Sequence, residues 1–112
     1  MQAALIIRWS RPHPGLERKA LQYGVDAAAF WGQRTAEGRC SAPEMFFTLS
    51  ESFWMVRGDE ASLREIMDTE EAKYLVMRAN LLMADLRFDF FTADDGTDAF
   101  LGRYAKCVEE FV

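Results

Sequence analysis

An α+β sandwich with element order βαββαβ and an added C-terminal helix is the fold class that this 112-residue sequence predicts. Three observations predict it. Apolar residues follow a strand-like rhythm near the N-terminus, in two short runs at mid-chain, and again past residue 81. Between those runs they recur at three- and four-residue steps, as on one face of a helix. The length suits one domain, residues 1–112, with a core that needs no disulfide or metal staple.

The first strand is expected over Ala3–Ser10, with Leu5, Ile7 and Trp9 on one side and Ala4, Ile6, Arg8 and Ser10 on the other. Arg11-Pro-His-Pro-Gly15 makes a rigid turn out of it. A helix from Leu16 to Arg34 follows, its stripe formed by Leu16, Ala20, Tyr23, Ala27, Phe30 and Trp31. Gly24 and Ala27–Ala29 carry little bulk, so this helix is expected to lie close to the sheet. Gly38 is placed to take a left-handed cap conformation.

Met45–Leu49 and Phe53–Arg57 read as a hairpin joined by Ser50-Glu51-Ser52. Asp59 is a good N-cap for a helix through Met67, and Asp68 for a second helix with Glu71 at its third position. The pair reads as one broken helix, bent near Asp68 and ending near Ala79. The last strand, Leu81–Thr92, sets Leu82, Ala84, Leu86, Phe88 and Phe90 against Met83, Asp85, Arg87, Asp89 and Phe91. Asp94–Thr97 then starts a closing helix whose stripe is Phe100, Leu101, Tyr104, Val108 and Phe111. A stripe that apolar is expected to be covered.

Aromatic residues make up 13% of the chain, more than a small sheet-and-helix core needs, so a cavity or a subunit interface is expected to absorb the surplus. Net charge is −5 with no Lys/Arg run, which argues against nucleic acid and anionic membrane surfaces as partners. The N-terminus lacks a basic signal-peptide region, and no apolar stretch approaches the about 20 residues of a membrane span. A cytoplasmic location is expected, with Cys40 and Cys107 as free thiols. Their spacing matches no zinc motif, and no metal or cofactor is predicted.

In a βαββαβ sandwich the helices cover one sheet face and leave the other open. Strand parity offers that face Ile6, Arg8, Phe46, Thr48, Asp85, Arg87 and Asp89. The third strand adds Trp54 and Val56 or, in the opposite parity, Phe53, Met55 and Arg57. First and last strands are neighbours, so Arg8 can reach Asp85 or Asp89. The plain reading of these charges is a solvated or interface ladder. The functional reading makes Arg8, Trp54, Asp85 and Arg87 the ligand-binding anchors of an apolar pocket. His13 is the only histidine; a surface role is the plain reading, and acid–base work at the cleft mouth makes it the candidate catalytic residue.

The element order from Ala3 to about Thr92, the mixed open face, and the stretch Val56-Arg-Gly-Asp-Glu-Ala-Ser-Leu63 together resemble the dimeric α+β barrel superfamily. That group includes EthD-like proteins, cofactor-free antibiotic-biosynthesis monooxygenases and muconolactone isomerase. The resemblance implies a ferredoxin-like fold and a homodimer with sheets packed face to face. It also implies a ligand cavity in each half, and cofactor-free oxygenation or isomerisation of a small organic substrate. No catalytic residue carries over. Heme-binding relatives place an axial histidine on a helix, whereas His13 lies between two prolines, and Asn80 is the only asparagine available for the monooxygenase cavity set. The alternative is a non-catalytic structural or interaction protein whose barrel is filled. An empty cavity of about 300 Å3 or more, with Arg8 or Arg87 in its wall, separates the two.

Overall fold

The computed structural model describes Met1–Phe111. Four strands and four helices follow in the order β1 (Gln2–Trp9), α1 (Glu17–Ala36), β2 (Glu44–Phe47), β3 (Ser52–Asp59), α2 (Glu60–Met67), α3 (Glu70–Leu82), β4 (Arg87–Thr92) and α4 (Asp95–Phe111). The sheet is antiparallel with strand order β2-β3-β1-β4, the ferredoxin-like arrangement expected from the sequence.

Period-two alternation sets the two faces. Leu5 pairs with Val56 and Phe90, and Ile7 with Trp54 and Phe88, so these six point toward the helices. With Ala3, Leu63, Ile66, Ala27, Phe30 and Trp31 they form the core. The opposite face carries Ile6 beside Met55 and Asp89, Arg8 beside Phe53 and Arg87, and Phe46 beside Phe53. Phe53, Met55 and Arg57 therefore occupy the open face, while Trp54 and Val56 belong to the core.

Caps and turns account for the element ends. Gly38 sits at φ +74° and its N–H donates to the Thr35 carbonyl, closing α1 as expected. Asp59 caps α2 by accepting from the Ser62 N–H. The second cap is Thr69, whose hydroxyl accepts from the Ala72 N–H; Asp68 instead ends α2, so the break falls one residue later than predicted. β2 ends at Phe47 because Thr48 closes the turn, its hydroxyl donating to the Glu51 carbonyl at 2.7 Å and accepting from the Glu51 N–H at 2.9 Å. That turn removes Thr48 from the open face.

The largest departure precedes β4. α3 continues to Leu82, and residues 83–86 form a link bonded to the segment after β1. Ser10 N–H donates to the Ala84 carbonyl, and Ala84 N–H to that of Arg11. Asp85 turns the chain at φ +56°, so the strand starts at Arg87 rather than Leu81.

α1 is tied to α3 by polar contacts. Arg34, 8% exposed, reaches Glu71 at 2.9 Å and lies 4.5 Å from the Phe30 ring, and Arg78 reaches Asp26 at 3.0 Å. α4 departs from expectation. Gly96 is its one buried residue, seated so tightly that a Cβ there would come within 2.9 Å of the Gln2 carbonyl oxygen. Beyond that turn the apolar stripe from Phe100 to Phe111 is exposed rather than covered by its own chain. No described helix is long and apolar enough to cross a membrane.

Candidate functional site

The expected proximity of α1 and the sheet does not occur along the whole helix. Ala20, Gly24, Ala27 and Ala28 face a gap, and a Cβ on Gly24 would meet no atom within 4 Å. Small side chains here open a space instead of closing one. The result is a cavity of about 580 Å3 between α1 and the β2-β3-β1 part of the sheet.

The sheet supplies Ile7, Trp9 and Trp54 to its wall, edge strand β2 supplies Met45 and Phe47, and α1 adds Tyr23 and Trp31. Ala79, Met83, Leu86 and Pro12 close the far end, and Leu21 and Val25 form an exposed apolar rim. Trp9 and Trp54 meet edge to face with ring centroids 6.2 Å apart, which fixes both indoles. The wall is overwhelmingly apolar, so water inside it finds few partners and an apolar ligand is favoured.

Three wall residues carry polar chemistry. The Trp54 indole N–H is buried and has no hydrogen-bond partner in the protein. A donor left unpaired in this way costs about 1–3 kcal/mol, and its burial seals it from the cavity space. Burial pushes the Tyr23 phenol up to about 12, with the Arg78 guanidinium pulling the other way, so it is a neutral donor throughout the physiological range. Glu17, at the start of α1, is the only acidic side chain in the wall among the described residues, and its carboxylate accepts weakly from the Gly15 N–H at 3.3 Å.

The structure does not bring the five sequence-derived candidates together. Trp54 lines the cavity, but from the helix-covered side of the sheet. Arg8 and Arg87 stand opposite each other on the open face, away from the cavity. Arg8 pairs with Glu51 at 3.3 Å, and Arg87 with Asp89 at 3.3 Å, so the expected contact of Arg8 with Asp85 or Asp89 gives way to ion pairs with nearer partners. Asp85 lies before β4 and accepts from the Ser10 hydroxyl at 2.8 Å. His13 is exposed, with its N–H bonded to the Leu82 carbonyl; its neighbour Pro12 is the part of that turn that reaches the wall. The cavity lies on the helix-covered side of the sheet, whereas the expected pocket was on the open face.

Glu17 went unread as a site residue, since a lone acid in a first helical turn is ordinary. Tyr23 was read as packing, and the small residues of α1 as close approach. Their shared helical face, Ala20-Tyr23-Gly24-Ala27-Ala28, was the available signal for a cavity.

Neither a family model nor a curated protein matches this sequence. Solved structures do. Rv0793 from Mycobacterium tuberculosis superposes with a TM-score of 0.66 at 19% identity, over 85% of this chain and 97% of that one. SnoaB, a cofactor-independent oxygenase from Streptomyces nogalater, gives 0.64 at 13% identity, over 84% and 94%. An antibiotic biosynthesis monooxygenase gives 0.62 at 17% identity, over 84% and 99%. At these identities the likeness is one of fold: the chain is built on the ferredoxin-like α+β plan shared by antibiotic-biosynthesis-monooxygenase-like structures.

Proposed function

We propose that this protein binds a planar, largely apolar organic molecule in the cavity between α1 and the sheet, and acts on it without a cofactor. The observation that carries the reading is a 580 Å3 space walled by three tryptophans and small α1 residues, with Tyr23 and Glu17 as the polar members of its lining. Such a space suits two to four fused rings. Similarity in fold to a cofactor-independent oxygenase makes oxygenation the first activity to examine.

An acidic CH2 between rings can supply the electrons itself. Loss of its proton gives a carbanion; with one O2 it yields a C=O group and one water. Glu17 is the carboxylate in the wall that can take the proton, and Tyr23 is a neutral donor to a developing oxyanion. His13, beside Pro12, is the single imidazole near the mouth for proton exchange with solvent. Arg8 and Arg87 have no place in this step. Free Cys40 and Cys107 suit a reducing cytoplasm.

The reading includes a homodimer formed through the open sheet faces. Phe46 and Phe53 stack there at 4.7 Å, and Met55 and Ile6 continue the band toward exposed Phe91. Arg8, Arg57 and Arg87 lie among Glu44, Glu51 and Asp89, so the face offers charges of both signs to a second copy of itself.

Oxygen uptake tests the activity, using anthrone-type and hydroxyarene substrates with no added flavin or metal. Uptake that matches product formation one to one, and falls at least tenfold in Glu17→Gln, supports it. Turnover without oxygen uptake would replace oxygenation by isomerisation. Saturable binding with no turnover would leave a carrier.

A further inference from the structure

We propose that α4 is an arm that packs on a second copy of this chain and is buried only in that assembly. The inference rests on the homodimer proposed above and adds a segment to it.

Around α4, Phe100, Phe111, Tyr104, Val108 and Leu101 fall within a single stripe about 100° wide, by the 3.6-residue period of the helix. Asp95, Asp98, Arg103, Lys106, Glu109 and Glu110 occupy the opposite side. A stripe this regular is the pattern of a helix with a partner. Its own chain provides none: the five apolar side chains are 43–87% exposed, and α4 touches the sheet only through its first turn at Gly96.

A second copy fits better than a bilayer. The polar side of α4 carries four acids against two bases, and an in-plane helix on an anionic membrane needs the reverse. Position points the same way. Asp94, in the turn leading into α4, pairs with Arg57 of the open face at 3.9 Å, and Phe91 of that face is exposed beside it. α4 thus leaves from the side of the sheet where a second copy would sit, and the two apolar surfaces meet at Phe91. Area agrees as well. At roughly 100 Å2 for each half-exposed large side chain, the stripe offers about 500 Å2 per protomer, or about 1,000 Å2 across a twofold. That is the lower bound for a stable interface before the sheet faces are added.

Sedimentation velocity of the full chain and two variants tests the arm, since all substitutions lie at exposed or half-exposed positions. Tyr104→Glu/Val108→Glu charges the stripe, and Met55→Glu charges the open face. The expected result is a wild-type dimer whose dissociation constant rises about 30-fold or more in the stripe variant, with circular dichroism unchanged. Loss of the dimer in Met55→Glu alone overturns the arm and leaves the sheet-face dimer standing. Loss in the stripe variant alone upholds the arm and removes the sheet-face reading. A monomeric wild type, or a dimer that neither variant disturbs, overturns both. Flotation of the full chain with 3:1 phosphatidylcholine–phosphatidylglycerol vesicles would also overturn the arm.

Discussion

Trp54 faces Ile7 across the β1–β3 pairing, on the helix-covered side of the sheet. That single register relationship places the indole in the cavity wall and sends its neighbours Phe53 and Met55 to the opposite face. A slip of one residue would exchange the two sets, and with them the site and the proposed interface.

Trp54→Phe keeps an aromatic ring in the wall and deletes the unpaired N–H. The loss of packing and the relief of an unsatisfied donor oppose each other, so the melting temperature should change little. Affinities for a keto-bearing polycycle and for unsubstituted anthracene should change alike, by less than about threefold, because the N–H is sealed from the cavity. A loss of about tenfold confined to the keto-bearing ligand would show that the N–H reaches the cavity after all.

The pH dependence of stability reports on Tyr23. Its phenol is raised from 10.0 to about 12 by burial, so the folded state holds the proton more tightly than the unfolded chain does. This contribution is fully present below pH 10 and is lost as pH rises from 10 toward 12, where the unfolded state ionises first. The loss should reach roughly 2 kcal/mol. Tyr23→Phe should abolish that part of the alkaline slope; denaturant melts at pH 9 and pH 11 measure it. An identical slope in the variant would place Tyr23 in contact with solvent.

Gly96 has a definite steric demand. Adding a Cβ brings it to 2.8 Å from Met1 Cγ and 2.9 Å from the Gln2 carbonyl oxygen, and the second of these is backbone. Gly96→Ala should therefore destabilise the chain by about 1–3 kcal/mol despite alanine's better helix propensity. A rise in stability would show that α4 is free to shift at its root.

Arg8→Met separates the two faces of the sheet. Arg8 makes an exposed ion pair with Glu51 and stacks 5.8 Å from the Phe53 ring, so its loss should cost less than about 1 kcal/mol. Ligand affinity should be unchanged, because no part of Arg8 reaches the cavity. Weaker ligand binding in this variant, measured by titration, would return the site to the open face.

Element types and sheet order were legible because alternation and helical period are local signals, strong in Leu5-Ile6-Ile7 and in the α1 stripe. The start of β4 was not. Met83-Ala84-Asp85 alternates as a strand would, yet the left-handed turn at Asp85 and the bonds to Ser10 and Arg11 depend on distant chain. The site was half legible. Trp54 was singled out, but the parity of β3 was open, and Arg8 with Arg87 drew attention to the face opposite this cavity. Gly24 and the alanines of α1 were seen, although lack of bulk alone does not distinguish close packing from a void; the distance between helix and sheet decides that. The stripe of α4 was read correctly as apolar, but its own chain leaves it uncovered.

Filling the cavity tests the central claim most directly. Gly24→Leu places a side chain in open space on a helix, so it should fold at least as stably as the natural chain. Isothermal titration of anthracene-2-ol should give saturable binding to the natural chain, one molecule per protomer, and binding reduced at least 30-fold in Gly24→Leu. Equal binding to both proteins, or none to the natural chain, would contradict the account.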